Sequence, residues 1–234
     1  MDAERFKEKM RPGVYVVIAA FNEERAVGEV LQGLAPFFSN VVVVDDGSAD
    51  DTAEKAREAG AKVIVHPLNL GQGAALRTGM EYALLNGARY VVTFDADGQH
   101  GPSDAAAMAD RAVKEGLDVL LGSRFLGGAG NVPVGRRVLL RAAAFFESIS
   151  TGARLTDAHN GLRVLSRDAA GKLDITLHGM SHASEITRRL KDAGFRLAEH
   201  PVNVSYSDYS RGKGQRGLNA VNILSDLLFR KLFG

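Results

Sequence analysis

The sequence contains no cysteine, and this absence excludes a disulfide framework, a thiolate metal site and a cysteine nucleophile. It also lacks any uninterrupted apolar run close to the ~20 residues that a membrane-spanning helix requires. The N-terminal segment mixes charges and has no apolar core, which is unlike a secretory signal. The formal net charge is only +1, so no overall positive field would attract nucleic acid. We therefore expect neither a membrane span nor a nucleic-acid partner.

The remaining composition is typical of a globular protein. Of the 234 residues, 45% are hydrophobic and 24% are charged, which is enough apolar material for a substantial core. No internal repeat or low-complexity linker interrupts the chain. We therefore predict one domain over residues 1–234.

Apolar segments and helical segments alternate along the chain with short connections. The predicted strands cover residues 14–21, 41–44, 63–65, 90–94, 118–121, 161–165 and 198–206. The predicted helices cover residues 23–35, 51–59, 74–86, 105–115, 136–149, 183–193 and 218–233, and Asn22 is the predicted N-cap of the first. This order predicts an α/β fold, a mostly parallel sheet with helices on both faces.

Carboxylates follow the strand that begins at Tyr90. Asp95 and Asp97 stand one residue apart at its predicted end, with Ala96 between them. Ligands of parallel α/β folds bind at the carboxyl ends of strands, and carboxylate oxygens suit Mg²⁺ or Mn²⁺. The pattern indicates a divalent metal site that also holds phosphates, although an isolated Asp-x-Asp is more often a solvated turn.

Two further motifs lie at predicted junctions between strands and helices. Asp45-Asp46-Gly47-Ser48 follows the second strand, and its carboxylates could accept hydrogen bonds from a base or ribose or simply form a turn. Asn69-x-Gly71-x-Gly73 precedes a helix, where backbone N–H groups can approach an anion. The spacing of these glycines matches neither the Rossmann fingerprint nor the P-loop.

Several charged residues later in the chain suit phosphate binding or proton transfer. Arg124 follows Gly122-Ser123 at a strand end, where a guanidinium could bind a phosphate or form a surface salt bridge. A carboxylate, an imidazole and a guanidinium share the segment 157–163, and no second histidine lies at zinc-ligand spacing. Glu185 is either catalytic or an ordinary acidic residue near a helix start. Arg211 and Lys213 lie in a glycine-rich loop that fits phosphate capture or a solvated surface.

These motifs, in this order, resemble the GT-A-fold glycosyltransferases of the large inverting family two. Within that family the chain is most similar to the dolichol- or polyprenyl-phosphate sugar transferases. The resemblance covers roughly residues 14–206. Its seven motifs are Ala20-Phe21-Asn22-Glu23, Asp45-Asp46-Gly47-Ser48-x-Asp50-x-Thr52, Asn69-x-Gly71-x-Gly73-Ala74, Asp95-Ala96-Asp97-Gly98-Gln99-His100, Gly122-Ser123-Arg124, Asp157-x-x-x-Gly161-x-Arg163 and Glu199-x-Pro201-Val202.

The resemblance implies a role for each matching residue. The donor-binding set is Ala20, Asn22, Glu23, Asp46, Gly71, Gly73, Asp95 and Ala96, with Arg211 and Lys213 facing phosphate groups. The implied metal ligands for Mg²⁺ or Mn²⁺ are Asp97, Gln99 and Asp95. The implied catalytic set is Asp157, Asp97, Arg124, Arg163 and Glu185, in which Asp157 is an acceptor-side carboxylate.

The resemblance also implies the reaction. A sugar (mannose or glucose-like) would pass with inversion from a GDP- or UDP-sugar to a polyprenyl or dolichyl phosphate. A lipid phosphate is already ionised and needs no strong base. If the acceptor is instead a sugar hydroxyl of a glycolipid or other glycan, Asp157 or Glu185 must take the proton.

Two other classes of protein compete with this interpretation. A sugar-nucleotide nucleotidyltransferase would carry a Gly-x-Gly-Thr-Arg-like loop after the first strand, where this chain has Asn22-Glu23-Glu24. A non-catalytic sugar-nucleotide-binding protein would not need the carboxylates Asp95 and Asp97.

The sequence departs from the family pattern in two places. Ala19 stands where many relatives have proline. The C-terminal transmembrane helices of many polyprenyl-phosphate members are missing. We therefore expect a protein peripheral to the cytoplasmic membrane face that reaches its lipid through amphipathic helices, foremost residues 218–233, or through a membrane protein partner.

Overall fold

A computed structural model describes residues 11–126, 155–157, 160–173 and 181–205, without the side chains of 181–184. Several sequence predictions lie outside these residues. They are the helices at 136–149 and 218–233 and the loop that contains Arg211 and Lys213.

The first half of the chain alternates strands and helices as predicted. Its elements are β1 (Val14–Ala20), α1 (Val27–Leu34), β2 (Asn40–Asp45), α2 (Thr52–Glu58), β3 (Lys62–Val65), α3 (Gln72–Leu85), β4 (Tyr90–Asp95) and α4 (Pro102–Glu115).

The second half is less regular. It contains β5 (Val119–Ser123), β6 (Arg163–Ser166), α5 (Arg167–Gly171), α6 (Ser181–Asp192) and β7 (Leu197–Pro201). The short helix α5 was not predicted, and it begins where the Ser166 hydroxyl accepts the N–H of Ala169 at 3.2 Å. The last strand was predicted too long, because β7 ends at Pro201 and only Val204 forms an isolated bridge further on, to His100.

The predicted N-cap at Asn22 is wrong. Helix α1 begins at Val27, after Ala26, and no side chain caps it. Asn22 has a left-handed backbone with φ 54°, and its Oδ1 accepts the N–H of Ala49 at 2.9 Å. The side chain therefore joins the loop after β1 to the loop after β2, and it is not available to the helix.

Within the described residues, seven strands form one sheet in the order β3-β2-β1-β4-β6-β5-β7. β6 is antiparallel to β4 and β5, and the other neighbouring pairs are parallel. The predicted fold class, a mostly parallel α/β sheet, is confirmed. Because β6 runs backwards, its first residue, Arg163, lies near the carboxyl end of β4.

Helices cover both faces of this sheet. Successive residues of β1 point to opposite faces, so Ile18 packs in one apolar cluster and Val17 in the other. Helices α1 and α4 contribute to the first cluster, and α3 and α6 contribute to the second. The strands are thus covered along their length, and the open edge at their carboxyl ends carries the polar motifs.

Helix α3 approaches the sheet closely at Gly79. A Cβ atom there would lie 2.3 Å from Cγ1 of Val17 and 3.2 Å from Cγ2 of Val44. Neither valine is the far end of a flexible chain, so the core would have to shift.

We expect Gly79→Ala to lower the free energy of unfolding by about 1–3 kcal/mol through overpacking, although alanine favours a helix by about 1 kcal/mol. The matched control is Gly28→Ala in α1, where nothing lies within 4 Å of an added Cβ. This control should be neutral or stabilising. Urea unfolding of both variants measures the difference, and equal effects at the two sites would contradict the packing described.

Candidate active site

Three neighbouring strands end side by side and bring the predicted donor motifs together. In the parallel register, Ala20 of β1 lies opposite Asp45 of β2, and Ala19 lies opposite Asp95 of β4. The segments that follow, which begin at Asn22, Asp46 and Asp97, therefore start from one edge of the sheet. Sequence motifs that are up to 75 residues apart thus form one cluster.

The loops after β1 and β2 are joined by hydrogen bonds between side chains and backbone. The N–H of Asn22 donates to Ser48 Oγ at 2.9 Å, and the N–H of Glu23 donates to Thr52 Oγ1 at 2.7 Å. Asp45 is buried and accepts the N–H of Ser48 at 3.1 Å. The serine, threonine and first aspartate of the second motif thus fix the position of the Asn22–Glu23 segment.

Asp46 holds the glycine loop. Its Oδ1 accepts the N–H of Leu70 at 3.0 Å and its Oδ2 accepts the N–H of Gly71 at 2.7 Å. His66 Nδ1 lies 2.8 Å from the same Oδ1, and His66 Nε2 lies 3.0 Å from Thr78 Oγ1. Two N–H groups of the predicted anion-binding loop therefore bind a carboxylate of the protein itself. The predicted contacts of Asp46, Gly71 and Gly73 with a nucleotide stay predictions.

Three residues contact the carboxylate of Asp95. Gln72 Nε2 donates to its Oδ1 at 3.3 Å, and His100 Nε2 lies 3.2 Å from its Oδ2. Gly161 packs directly against it, since a Cβ on that glycine would lie 2.0 Å from Oδ2. The carbonyl of Gly161 accepts the hydroxyl of Thr93 at 2.7 Å. Only glycine fits at 161 with Asp95 in this position.

Asp97 lies beside Asp95 in a poorly solvated position. Burial raises the pKa of Asp97 from 3.8 to about 6, and the negative charges of Asp95 and Glu23 act in the same direction. The N–H of Gln99, which donates to Asp97 Oδ1 at 3.0 Å, and the charge of His100 lower the pKa. Asp97 is therefore harder to ionise than an exposed carboxylate, and a nearby cation would favour its charged form.

This donor set suits a hard divalent cation, because carboxylate oxygens are the ligands that Mg²⁺ and Mn²⁺ prefer. In the described part of the chain, no group of three or more His, Cys, Asp or Glu residues is arranged to hold a metal ion. A cation at Asp95 and Asp97 would need further oxygen ligands from water or substrate phosphates. Gln99, the third predicted ligand, contributes its N–H to Asp97, and its carbonyl accepts the N–H of Ser205 at 2.9 Å.

Arg124 and Asp157 form a buried ion pair. Asp157 Oδ2 accepts Arg124 Nε at 2.6 Å and the N–H of Arg124 at 3.1 Å. The side chains are only 9% and 1% exposed, respectively. A buried charge is costly unless it is paired, and this pairing also fixes the plane of the guanidinium.

The remaining predicted catalytic residues, Arg163 and Glu185, are also buried. Arg163 begins β6 and lies opposite Thr93 of β4, two residues before Asp95. Glu185 accepts Arg189 Nε at 2.9 Å, one turn later in α6. Their catalytic roles stay predictions.

Several residues of the site had no assigned role in the sequence analysis. His66 lies outside the recognised motifs and Gln72 is an unspecified position within the third, and no local pattern connects them to aspartates more than 19 residues away. His100, Gly161 and Glu199 belong to the motifs, but only the fold shows which carboxylates or loops they contact.

Comparison with known proteins identifies the class of protein. The model of the family described as Glycosyl transferase family 2 matches residues 15–174. The chain belongs to this family and is a nucleotide-sugar-dependent glycosyltransferase, as the sequence motifs predicted.

Two relatives resemble the chain over most of its length. An uncharacterised protein of Methanocaldococcus jannaschii is 37% identical, covering 94% of this chain and 93% of the relative. The UDP-N-acetylglucosamine–dolichyl-phosphate N-acetylglucosaminyltransferase of Methanococcus voltae is 30% identical, covering 94% of this chain and 96% of the relative.

A solved structure shares the fold. Glucosyl-3-phosphoglycerate synthase from Mycobacterium tuberculosis, crystallised with Mg²⁺ and UDP, has a TM-score of 0.67 and 22% sequence identity, covering 93% of this chain and 78% of the synthase. The predicted GT-A fold is confirmed. Among the helices of the described residues, none has the length and apolar content needed to cross a membrane.

The raised pKa of Asp97 predicts how the free energy of unfolding depends on pH. Because the folded state holds this proton more tightly than the unfolded state, the ionised Asp97 destabilises the metal-free protein above pH 6 and not below about pH 4. Asp97→Asn should raise the free energy of unfolding by about 1–3 kcal/mol near pH 8, and the gain should disappear near pH 4.

Chemical denaturation in chelator at both pH values measures this gain. Glu29→Gln, which removes an exposed carboxylate of α1, is the control and should have little effect at either pH. A destabilising effect of Asp97→Asn at pH 8 would contradict the electrostatic description of the site.

Proposed function

We propose that this glycosyltransferase moves a sugar from a nucleotide-sugar to a polyprenyl or dolichyl phosphate, with inversion at the anomeric carbon. The observation that carries the proposal is the placement of two neighbouring carboxylates, Asp95 and the largely buried Asp97, at the edge where the donor motifs meet. The similarity to the dolichyl-phosphate transferase of M. voltae supports the choice of acceptor.

The donor would bind across the ends of β1, β2 and β4. Asn22 and Glu23, with Ala20 and Ala96 beside them, would contact the nucleoside. Asp46 would act through the loop that it holds, setting where Gly71 and Gly73 meet the donor. Because these loops are joined by hydrogen bonds between groups of the protein itself, little ordering would be required on binding.

We propose that Asp95, Asp97 and Gln99 hold Mg²⁺ or Mn²⁺. The pair fits such an ion because a cation would favour the ionised form of Asp97, which burial and the charge of Asp95 disfavour. When bound, the ion offsets the negative charge that develops on the departing diphosphate. The protein's own contribution is to fix both carboxylates: Gln72, His100 and Gly161 position Asp95, and the N–H of Gln99 positions Asp97.

On the acceptor side, Arg124 and Arg163 would face the lipid phosphate, with Arg211 and Lys213 as further cations. Asp157 is already engaged by Arg124, so we assign it the orientation of that guanidinium. A phosphate nucleophile fits this arrangement, since it needs no carboxylate to remove a proton. Transfer to a sugar hydroxyl would require that hydroxyl to reach an oxygen of Asp157 or Glu185, both of which are buried and paired with an arginine.

We also propose that the enzyme works at the cytoplasmic face of a membrane, where a lipid phosphate would be presented. The amphipathic segment at 218–233, or a membrane protein partner, would supply the contact. This arrangement does not require a membrane-spanning helix.

A thermal-shift series tests the donor and the metal together. A ligand that binds only the folded state raises the melting temperature, so one of UDP, GDP or dTDP with Mn²⁺ should stabilise the wild-type protein. The same nucleotide should have a much smaller effect on Asp97→Asn, and Glu29→Gln should behave as wild type. Full stabilisation in the presence of chelator would contradict the metal assignment.

A transfer assay tests the acceptor. With the sugar donor chosen by that series, the wild-type enzyme should transfer to polyprenyl phosphate in detergent or vesicles and not to the matched polyprenol, which lacks the phosphate. Asp97→Ala should abolish transfer while the protein remains folded. Transfer to a neutral glycolipid in preference to the lipid phosphate would favour the hydroxyl-acceptor alternative.

A further inference from the structure

The carboxylate of Glu199 accepts several hydrogen bonds from the segment that carries Asp157. Its Oε1 and Oε2 accept the N–H of Thr156 at 2.9 and 3.1 Å. Oε1 also accepts the Thr156 hydroxyl at 2.9 Å and the N–H of Asp157 at 3.2 Å. One side chain thus binds two consecutive backbone N–H groups and the hydroxyl between them, which is an unusually complete use of a carboxylate.

Glu199 is itself well placed for this task. It lies in β7 opposite Leu121 of β5, so its backbone belongs to the sheet. Its carbonyl accepts Arg111 Nη1 at 3.0 Å from helix α4. The Thr156 hydroxyl also lies 2.6 Å from Ser123 Oγ, at the end of β5. The segment 155–157 is therefore fastened to two strands of the sheet.

The next contact in this series is the buried ion pair. Asp157 follows Thr156 directly. Its Oδ2 accepts hydrogen bonds from both the backbone N–H and the Nε–H of Arg124. A shift of the 155–157 segment would move the Asp157 carboxylate and, with it, the guanidinium of Arg124. Both members of the pair are buried, so little room exists for the side chains to compensate.

We propose that Glu199 is a positioning residue for acceptor binding: its carboxylate fixes Thr156 and Asp157, and through them the orientation of Arg124. This inference rests on the proposed function in assigning Arg124 to the acceptor phosphate. Glu199 does not touch the reacting atoms in this proposal. Its effect passes through Asp157.

Both oxygens of Glu199 contribute to this arrangement, because Oε1 accepts from all three donors and Oε2 also accepts from the N–H of Thr156. Glutamine has nearly the same shape, but its amide offers a single acceptor oxygen, and its NH₂ group would face an N–H or hydroxyl hydrogen. Glu199→Gln therefore keeps the packing of β7 and removes the simultaneous acceptance by both oxygens.

A matched control is available at the end of the same strand. Asp104 Oδ2 accepts the N–H of Asn203 at 2.8 Å, so Asp104→Asn also changes a carboxylate that holds backbone next to β7. Asp104 contacts neither Thr156 nor Asp157 among the hydrogen bonds of the described residues. It controls for a general loosening of this part of the fold.

The kinetic test compares wild type, Glu199→Gln and Asp104→Asn with polyprenyl phosphate as the varied substrate. We expect Glu199→Gln to lower kcat/KM for the acceptor by about 10- to 100-fold, the scale of a misplacement near 1 Å. Stabilisation by the nucleotide with Mn²⁺ should be unchanged, because the donor site does not include Glu199. If Glu199→Gln had the same kcat/KM for the acceptor as Asp104→Asn, the proposal would be overturned.

A double-variant cycle tests the route through Asp157. Groups that act through one another are not additive, so Glu199→Gln combined with Asp157→Asn should be no worse than Asp157→Asn alone. Additive losses would overturn the proposal, because they would mean that Glu199 acts independently of Asp157.

A measurement without substrate separates this proposal from the proposed function. The Nε–H of Arg124 is buried against Asp157, so its NMR signal, assigned by its loss in Arg124→Lys, should exchange slowly with water. Glu199→Gln should make that exchange at least about tenfold faster and Asp104→Asn should not, since exchange follows the free energy of local opening. Unchanged exchange in Glu199→Gln would overturn the positioning role. If the wild-type enzyme does not transfer to polyprenyl phosphate, the proposed function fails, and this NMR result still decides the structural role.

Discussion

The burial of the Asp97 carboxylate next to a second carboxylate, Asp95, at the end of β4 is the constraint on which the candidate site depends. Asp95 is the last residue of β4 and Asp97 lies in the turn that follows, where burial and the charge of Asp95 leave Asp97 with a pKa of about 6. The packing of the sheet does not require a buried carboxylate that destabilises the folded state when it is ionised. Gln72, His100 and Gly161 contact Asp95 and hold it next to Asp97. A destabilising group that is held in place in this way indicates a functional site.

The surrounding loops are arranged so that their own polar groups are largely satisfied. Asn22, Ser48 and Thr52 join two loops, and Asp46 binds two N–H groups of the glycine loop. On the side that we assign to the acceptor, Glu199 accepts hydrogen bonds from the segment that brings Asp157 to Arg124. Preorganisation of this kind places charge where substrate charge arrives or develops, which is the main electrostatic contribution an active site can make.

Local patterns in the sequence predicted the strands and helices around the site, because apolar runs and turn residues act over short distances. They failed at Asn22, where a good N-cap residue instead has a left-handed backbone and contacts the next loop. They also missed the short helix α5 and the contacts of His66, Gln72 and Glu199. Each of these depends on elements that only the completed sheet brings together. The carboxylates that we assign to the donor, in contrast, could be placed at one edge of the sheet from the sequence, because they lie at or just after the ends of predicted strands.

The most direct test of the central claim is the binding of Mn²⁺, followed by the EPR signal of the unbound ion near pH 7.5 with and without the nucleotide diphosphate. The account predicts that the wild-type protein binds one Mn²⁺ per chain more tightly when the nucleotide is present, since its phosphates would complete the oxygen ligands. Loss of an outer-shell partner alone can weaken a metal site by about 10- to 100-fold, so Asp97→Asn should weaken binding by at least about tenfold. Equal Mn²⁺ affinity in the wild type and in Asp97→Asn would contradict the assignment of Asp95 and Asp97 as the metal site.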